Sequence, residues 1–155
     1  DAALDIVVPL LADDPRPRYL MGLGSPADIL EAVDRGVDLF DSVLPARVAR
    51  NGQLWIPGGR MNIRNQAFLD DPEPIQADCP CLACRHFSRA YLAHLFRARE
   101  LLGYRLATCH NLTFTLDFMA RVRSAITDGS FPAALPGLRL RAGRISRSED
   151  AVKSA

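Results

Sequence analysis

Tyr19-Leu20-Met21-Gly22-Leu23-Gly24-Ser25-Pro26, then Ala27 to Gly36, then Val37-Asp38-Leu39-Phe40-Asp41, is the stretch that decides the fold. Tyr19 to Gly22 is a short apolar run that reads as a buried strand. Ser25 before Pro26 is a good N-cap and first-turn pair, so a helix opens at Ala27 and runs to Asp34. Gly36 stops it, and Val37 to Asp41 reads as a second strand. Strand, helix and strand joined by short turns make a parallel βαβ unit. Upstream, Ala2 to Leu11 is apolar and reads as the tail of a helix, broken at Asp13-Asp14-Pro15.

Downstream the pattern changes. Residues 42–78 are rich in loop signals, with Gly52, Gly58-Gly59 and the stretch from Asp70 to Pro74. Leu54-Trp55-Ile56 and Met61-Asn62-Ile63 read as strands of a small antiparallel sheet. Then comes the most specific chemical signal, Cys79-x-Cys81-x2-Cys84, followed by 25 residues and His110. Zn²⁺ favours tetrahedral sulfur and nitrogen donors, and a Cys3His set fills all four positions and leaves none for water. Such a site is structural. Disulfides or buried free thiols are the plainer alternatives, but clustered thiols without a targeting segment fit a reducing, cytoplasmic setting better.

Geometry argues for His110 as the fourth ligand. Phe87, Ala90, Tyr91, His94, Leu95, Ala98 and Leu102 recur at helical spacing. A helix from Phe87 to Leu102 carries the chain roughly 24 Å away, and Gly103 offers a stop. If Tyr104 to His110 is extended, it returns roughly 23 Å. His86 lies too close to Cys84, and His94 sits out along the helix. Asn111 then caps a last helix, Leu112 to Thr127, with Leu112, Leu116, Met119, Val122 and Ile126 inward and Gly129 closing it. Residues 132–155, with Arg139, Arg141, Arg144 and Arg147, read as a basic tail expected to be disordered.

Composition bounds the partners. The chain has 155 residues, 48% hydrophobic and 24% charged, enough for one packed domain. No run is long and apolar enough to span a membrane. Net charge is only +1, so any nucleic-acid contact must come from a local patch. Residues 1–40 carry eight acids against three arginines, whereas residues 85–123 carry seven arginines against two acids. Arginine suits bidentate phosphate contacts, although arginine-rich usage is also what a GC-rich genome produces. The chain lacks an initiator Met and opens inside a helix, which suggests a fragment.

Asp41 is the candidate for chemistry. It closes the second strand, at the edge where parallel α/β sheets and barrels carry their active sites. Strand alternation separates it from Asp38, so the two are not a dyad. The bland alternative is an Asp capping the following turn. Arg47 and Arg50 follow, three residues apart, and could grip RNA phosphates or simply be solvated loop arginines.

Together the residues Tyr19-Leu20-Met21-Gly22-Leu23-Gly24, Phe40-Asp41-Ser42-Val43-Leu44-Pro45-Ala46-Arg47, Arg50-Asn51-Gly52, Cys79-Pro80-Cys81-Leu82-Ala83-Cys84, Ser88-Arg89-Ala90-Tyr91-Leu92 and His110-Asn111-Leu112 resemble the tRNA-guanine transglycosylases, in order and spacing. The bacterial queuine tRNA-ribosyltransferase branch is the best match, over about Arg18 to Phe131. The resemblance implies an α/β fold, the C-terminal part of a (β/α)8 barrel with an inserted zinc-binding subdomain. Residues 1–41 would be the last βαβ part, 42–110 the zinc subdomain with an RNA-contacting loop, and 111–131 the last barrel helix. It implies Asp41 as the nucleophile, Tyr19, Met21 and Gly22 at the base pocket, and Arg47 and Arg50 on the tRNA anticodon loop. Cys79, Cys81, Cys84 and His110 would hold one structural zinc.

The implied activity exchanges the wobble guanine of G-U-N anticodon tRNAs for a 7-deazaguanine, in queuosine biosynthesis, through a covalent Asp–ribose intermediate. A homodimer is a further implication. Ser42 stands where Cys is common in the family and Ala46 where Thr is common. The family's base-recognising carboxylates lie in barrel strands that this sequence does not contain, so these residues alone are expected to be inactive. A non-catalytic zinc module binding tRNA or a partner subunit is the competing reading. An archaeosine-type relative is a third, which the Leu44-Pro45-x-Arg47-x2-Arg50-Asn51-Gly52 run argues against.

Overall fold

The computed structural model describes residues 2–143. Helix α1 (Ala2–Leu10) precedes strand β1 (Tyr19–Met21), helix α2 (Pro26–Asp34) and strand β2 (Leu39–Asp41). The strands pair in parallel, Tyr19 beside Leu39 and Met21 beside Asp41. The expected βαβ unit is therefore present. The Ser25 side chain accepts the Asp28 N–H and Pro26 opens the helix, as its sequence predicts. Gly36 turns the chain at φ +95°, a left-handed conformation that a residue with a Cβ adopts at a cost. Strand β1 is not buried as expected: Tyr19 is 54% and Met21 74% exposed. Among the described residues β1 and β2 pair only with each other, and the face that carries Tyr19, Met21, Leu39 and Asp41 is exposed.

The segment after Asp41, read as loop, is a helix, α3 (Leu44–Arg50). Pro45 sits in its first turn, where a missing N–H costs nothing, and Arg47 and Arg50 occupy its last turn, where cations oppose the helix dipole. The hairpin follows as expected: β3 (Gln53–Ile56) pairs antiparallel with β4 (Gly59–Asn62) across a two-residue turn. A short 3₁₀ turn (Gln66–Phe68), helix α4 (Leu82–His86) and helix α5 (Arg89–Arg97) lead to the long helix α6 (Leu101–Thr127).

Helix α6 overturns the expected extended return. Gly103 does not stop a helix; it lets two helices touch. A Cβ added there would lie 2.9 Å from the Leu95 Cβ of α5. The stop comes earlier and needs no glycine. Arg99 takes φ +58°, its N–H bonds Phe96 O, and Glu100 N–H bonds Leu95 O at 2.9 Å, which satisfies the last carbonyls of α5. The inward face of α6 also differs from expectation. Leu106, Ala107, His110, Asn111, Phe114, Phe118 and Val122 are buried, whereas Leu112, Leu116 and Ile126 are exposed. Asn111, expected as a cap, is fully buried in mid-helix. The expected boundary between residues 110 and 111 thus falls inside one continuous helix.

Residues 132–142, expected as part of a disordered tail, belong to helix α7 (Phe131–Ala142). Leu138 is buried against Leu30, Phe118 and Val122. Arg139 pairs with Glu31 and Asp34, and Arg141 with Asp117. Basic residues that look like a solvated run are neutralised by acids on α2 and α6. Arg144 and Arg147 lie outside the described residues. The main core gathers Leu54, Ile63, Ile75, Leu92, Phe96 and Leu106 around the cysteines. No helix among the described residues is long and apolar enough to cross a membrane.

Candidate functional site

The metal-binding residues come together from three places. Cys79 precedes α4, Cys81 caps it with its sulfur 3.4 Å from Cys84 N, and Cys84 follows one turn later. His110 arrives from the middle of α6. All four are buried, with ligand atoms within 4.8 Å of one another. His110 Nδ1 lies 3.6, 3.6 and 3.3 Å from the sulfurs of Cys79, Cys81 and Cys84. A tetrahedral zinc with its usual bond lengths sets sulfur and nitrogen about 3.5 Å apart. The cluster therefore has the dimensions of one zinc site. The opposite ring nitrogen, Nε2, donates to Trp55 O at 2.7 Å, which leaves the Nδ1 lone pair facing the thiols.

The electrostatics favour a cation as well. The hydrogen bond from Cys84 holds Cys81 as a thiolate, its pKa lowered to about 3 despite burial. The same hydrogen bond, then burial, push Cys84 far up, and burial raises Cys79. Without a metal, one buried thiolate suppresses the ionisation of its neighbours; a divalent ion removes that conflict. Zinc here serves to cross-link α4 to α6, and no position remains for a catalytic water.

Asn111, which sequence reasoning missed, stands next to His110. Its Oδ1 accepts Trp55 N–H at 3.0 Å, and its Nδ2 donates to Pro45 O at 3.1 Å and Gln53 O at 3.0 Å. One amide thus joins α6, α3 and β3, and fixes the Trp55 backbone whose carbonyl orients His110.

Asp41 ends β2, beside Met21 in register. Its Oδ1 accepts the Tyr19 hydroxyl at 2.8 Å and the Gly22 N–H at 3.2 Å. The hydrogen bond to this carboxylate keeps the Tyr19 phenol protonated, its pKa raised. Oδ2 takes no hydrogen bond among the described residues. The turn after Asp41 is served by Ser42, whose Oγ accepts Leu44 N–H at 3.1 Å, so Asp41 is not needed as a cap. Asp38, just before β2, accepts Arg18 N–H at 2.8 Å and shares neither of Asp41's donors, so the two form no dyad.

A groove of about 380 Å³ runs beside Asp41, between β2 and the exposed face of α6, with Leu23, Ser42, Leu112, Leu116 and Met119 in its walls. Gly24 closes the β1–α2 loop against Ser42; a Cβ there would collide with the serine side chain. Of the expected base-pocket residues, the structure brings Tyr19 and Gly22 onto Asp41 and places Met21 alongside. Arg47 and Arg50 are exposed on α3 and form no ion pair among the described residues.

A family model described as queuine tRNA-ribosyltransferase matches residues 2–138. The queuine tRNA-ribosyltransferase of Symbiobacterium thermophilum is 51% identical over 150 residues, which cover 96% of this chain and 37% of that relative. Its namesake in Herpetosiphon aurantiacus is 56% identical over 123 residues, 79% of this chain and 31% of the relative. That of Solidesulfovibrio magneticus is 54% identical over 125 residues, with 81% and 33% covered. The chain spans about a third of the length of these curated relatives. With the Cys3His cluster and the gripped carboxylate in place, that match establishes that this chain belongs to the queuine tRNA-ribosyltransferase family.

Proposed function

We propose that this chain carries the nucleophile and the RNA-holding, zinc-braced part of a tRNA-guanine transglycosylase. The activity exchanges the wobble guanine of G-U-N anticodon tRNAs for a 7-deazaguanine. The observation that carries the reading is the seating of Asp41: it ends a parallel strand, and two donors converge on one of its oxygens. Those donors fix the carboxylate rotamer and leave Oδ2 to attack.

In the first step Asp41 Oδ2 bonds to C1′ of the flipped nucleotide and the C1′–N9 bond breaks. Guanine leaves with the bonding pair and takes up a proton from a group outside these residues. In the second step N9 of the deazaguanine attacks C1′ from the opposite face, loses its proton, and releases Asp41. Two inversions retain configuration, through oxocarbenium-like transition states as in retaining glycosidases. Taking the guanine out of its stack lets a pocket read it. Arg47 and Arg50, one turn apart and exposed on α3, suit adjacent RNA phosphates.

The test uses the full-length enzyme. Wild type incubated with tRNA and no incoming base forms a protein–RNA adduct that survives denaturing gels. Asp41→Asn loses the adduct and slows base exchange by roughly 10⁴-fold. A wild-type exchange rate in Asp41→Asn would leave the chain only the role of an accessory RNA-binding module.

A further inference from the structure

We propose that Arg64 is a third phosphate-binding arginine, continuing the RNA-holding face that Arg47 and Arg50 begin on α3. The inference rests on the transglycosylase reading and concerns how far the bound RNA extends. Its basis is position. Helix α3 ends at Arg50, and the chain turns at Gly52 with φ +87°. A Cβ on Gly52 would lie 3.1 Å from Arg64 Cγ and 3.2 Å from its Nε, so the arginine stem lies directly across the turn that follows Arg50. Ile63 N–H bonds Gly52 O at 2.9 Å, and Arg64 N–H bonds Asn62 Oδ1 at 3.1 Å, so the backbone beneath the side chain is tied on both sides.

The head group is also seated. Its Cζ lies 5.6 Å from the centre of the Phe96 ring. Phe96 is buried and packs edge-on against Tyr104, so the platform is rigid. An aromatic under one face of a guanidinium leaves its N–H edge available, and that edge is the one that grips phosphate bidentately. Arg64 remains exposed, and it forms no ion pair among the described residues.

The chain uses other arginines differently. Arg89 is tied to Asp71, Arg35 to Asp5 and Glu31, Arg139 to Glu31 and Asp34, and Arg141 to Asp117. Those hold elements together. Arg85, Arg97, Arg99 and Arg105 also lack acidic partners among the described residues, but none is placed across the end of α3. A phosphate there would add one more charge contact to the same strand of RNA.

The experiment measures tRNA binding and exchange by the full-length enzyme carrying Arg64→Gln, across a series of KCl concentrations. The slope of log K against log salt falls by about one contact. KM for tRNA rises roughly tenfold, the scale of one lost charge-assisted hydrogen bond. KM for the incoming base and kcat at saturating tRNA stay within twofold, and Arg64→Lys restores the slope. If Arg64→Gln loses zinc, Arg64→Met, which keeps an apolar stem over Phe96, is read in the same way. An unchanged slope and tRNA KM in a variant that retains zinc would overturn the proposal and make Arg64 a lid on Phe96. Arg50→Gln separates the two readings: if it lowers the slope and Arg64→Gln does not, only Arg64 is misassigned; if neither lowers it, the RNA-holding role of α3 fails.

Discussion

At the scale of single residues the zinc cluster gives the sharpest expectation. In the metal-free cluster Cys81 is already a thiolate, whereas Cys79 and Cys84 hold their protons because their pKa values are raised. Zinc needs all three as thiolates. Binding at neutral pH therefore displaces protons from the raised thiols, and affinity falls as pH falls below neutrality. The sign follows from the raised groups: protons compete with the metal, so acid releases zinc and base tightens it. Calorimetry of zinc binding in buffers of different ionisation enthalpy counts the protons; binding that releases none would contradict the raised thiols. The four ligands were legible because thiols at that spacing have few other uses. Asn111 was not. Once the helix is begun at Leu101, Asn111 shares a face with Ala107, Phe114 and Phe118, and a lone amide on an apolar stripe marks a buried hydrogen-bonding hub. Taking Gly103 for a stop hid that face.

At the scale of elements, the glycines of α6 and α7 have opposite meanings. Gly103 lies where α5 crosses α6, so Gly103→Ala forces the Leu95 contact apart and lowers stability by about 1–3 kcal/mol. Gly137 lies inside α7 with nothing within 4 Å of a built Cβ, so Gly137→Ala raises stability by up to about 1 kcal/mol. Urea midpoints of the two variants in the full-length enzyme, moving in opposite directions, check the pair. Equal shifts would mean that helix propensity alone decides both. The βαβ unit and the hairpin were readable because their stops, caps and alternation are local. Helices α3 and α7 were not, because what makes them helical is tertiary. Leu138 closes a cluster with Leu30 and Phe118, and the arginines of α7 find acids 24 to 108 positions away in the chain. Charge runs look solvated when their partners are distant in sequence.

At the scale of the molecule, the chain is the C-terminal part of the family's (β/α)8 barrel with its zinc subdomain, and its two halves are unequally complete. The zinc half encloses its own core: Ala49, Leu54, Ile63, Leu92, Ala93, Leu106 and Ala107 are at most 1% exposed. The barrel half is open. Leu10 is 79%, Met21 74% and Leu116 69% exposed, on α1, β1 and the groove-facing side of α6. Large apolar side chains left in water on neighbouring elements favour association. The 155 residues purified alone should therefore bind one zinc per chain yet bind a hydrophobic dye, self-associate, and show no base exchange. On the transglycosylase reading, supplying the remainder of a full-length relative should silence the dye and restore exchange together, because the surface that covers these apolar side chains would also close around Asp41. A monomeric, dye-silent chain that exchanged guanine by itself would show that the exposed faces are ordinary surface and that Asp41 needs no partner strands.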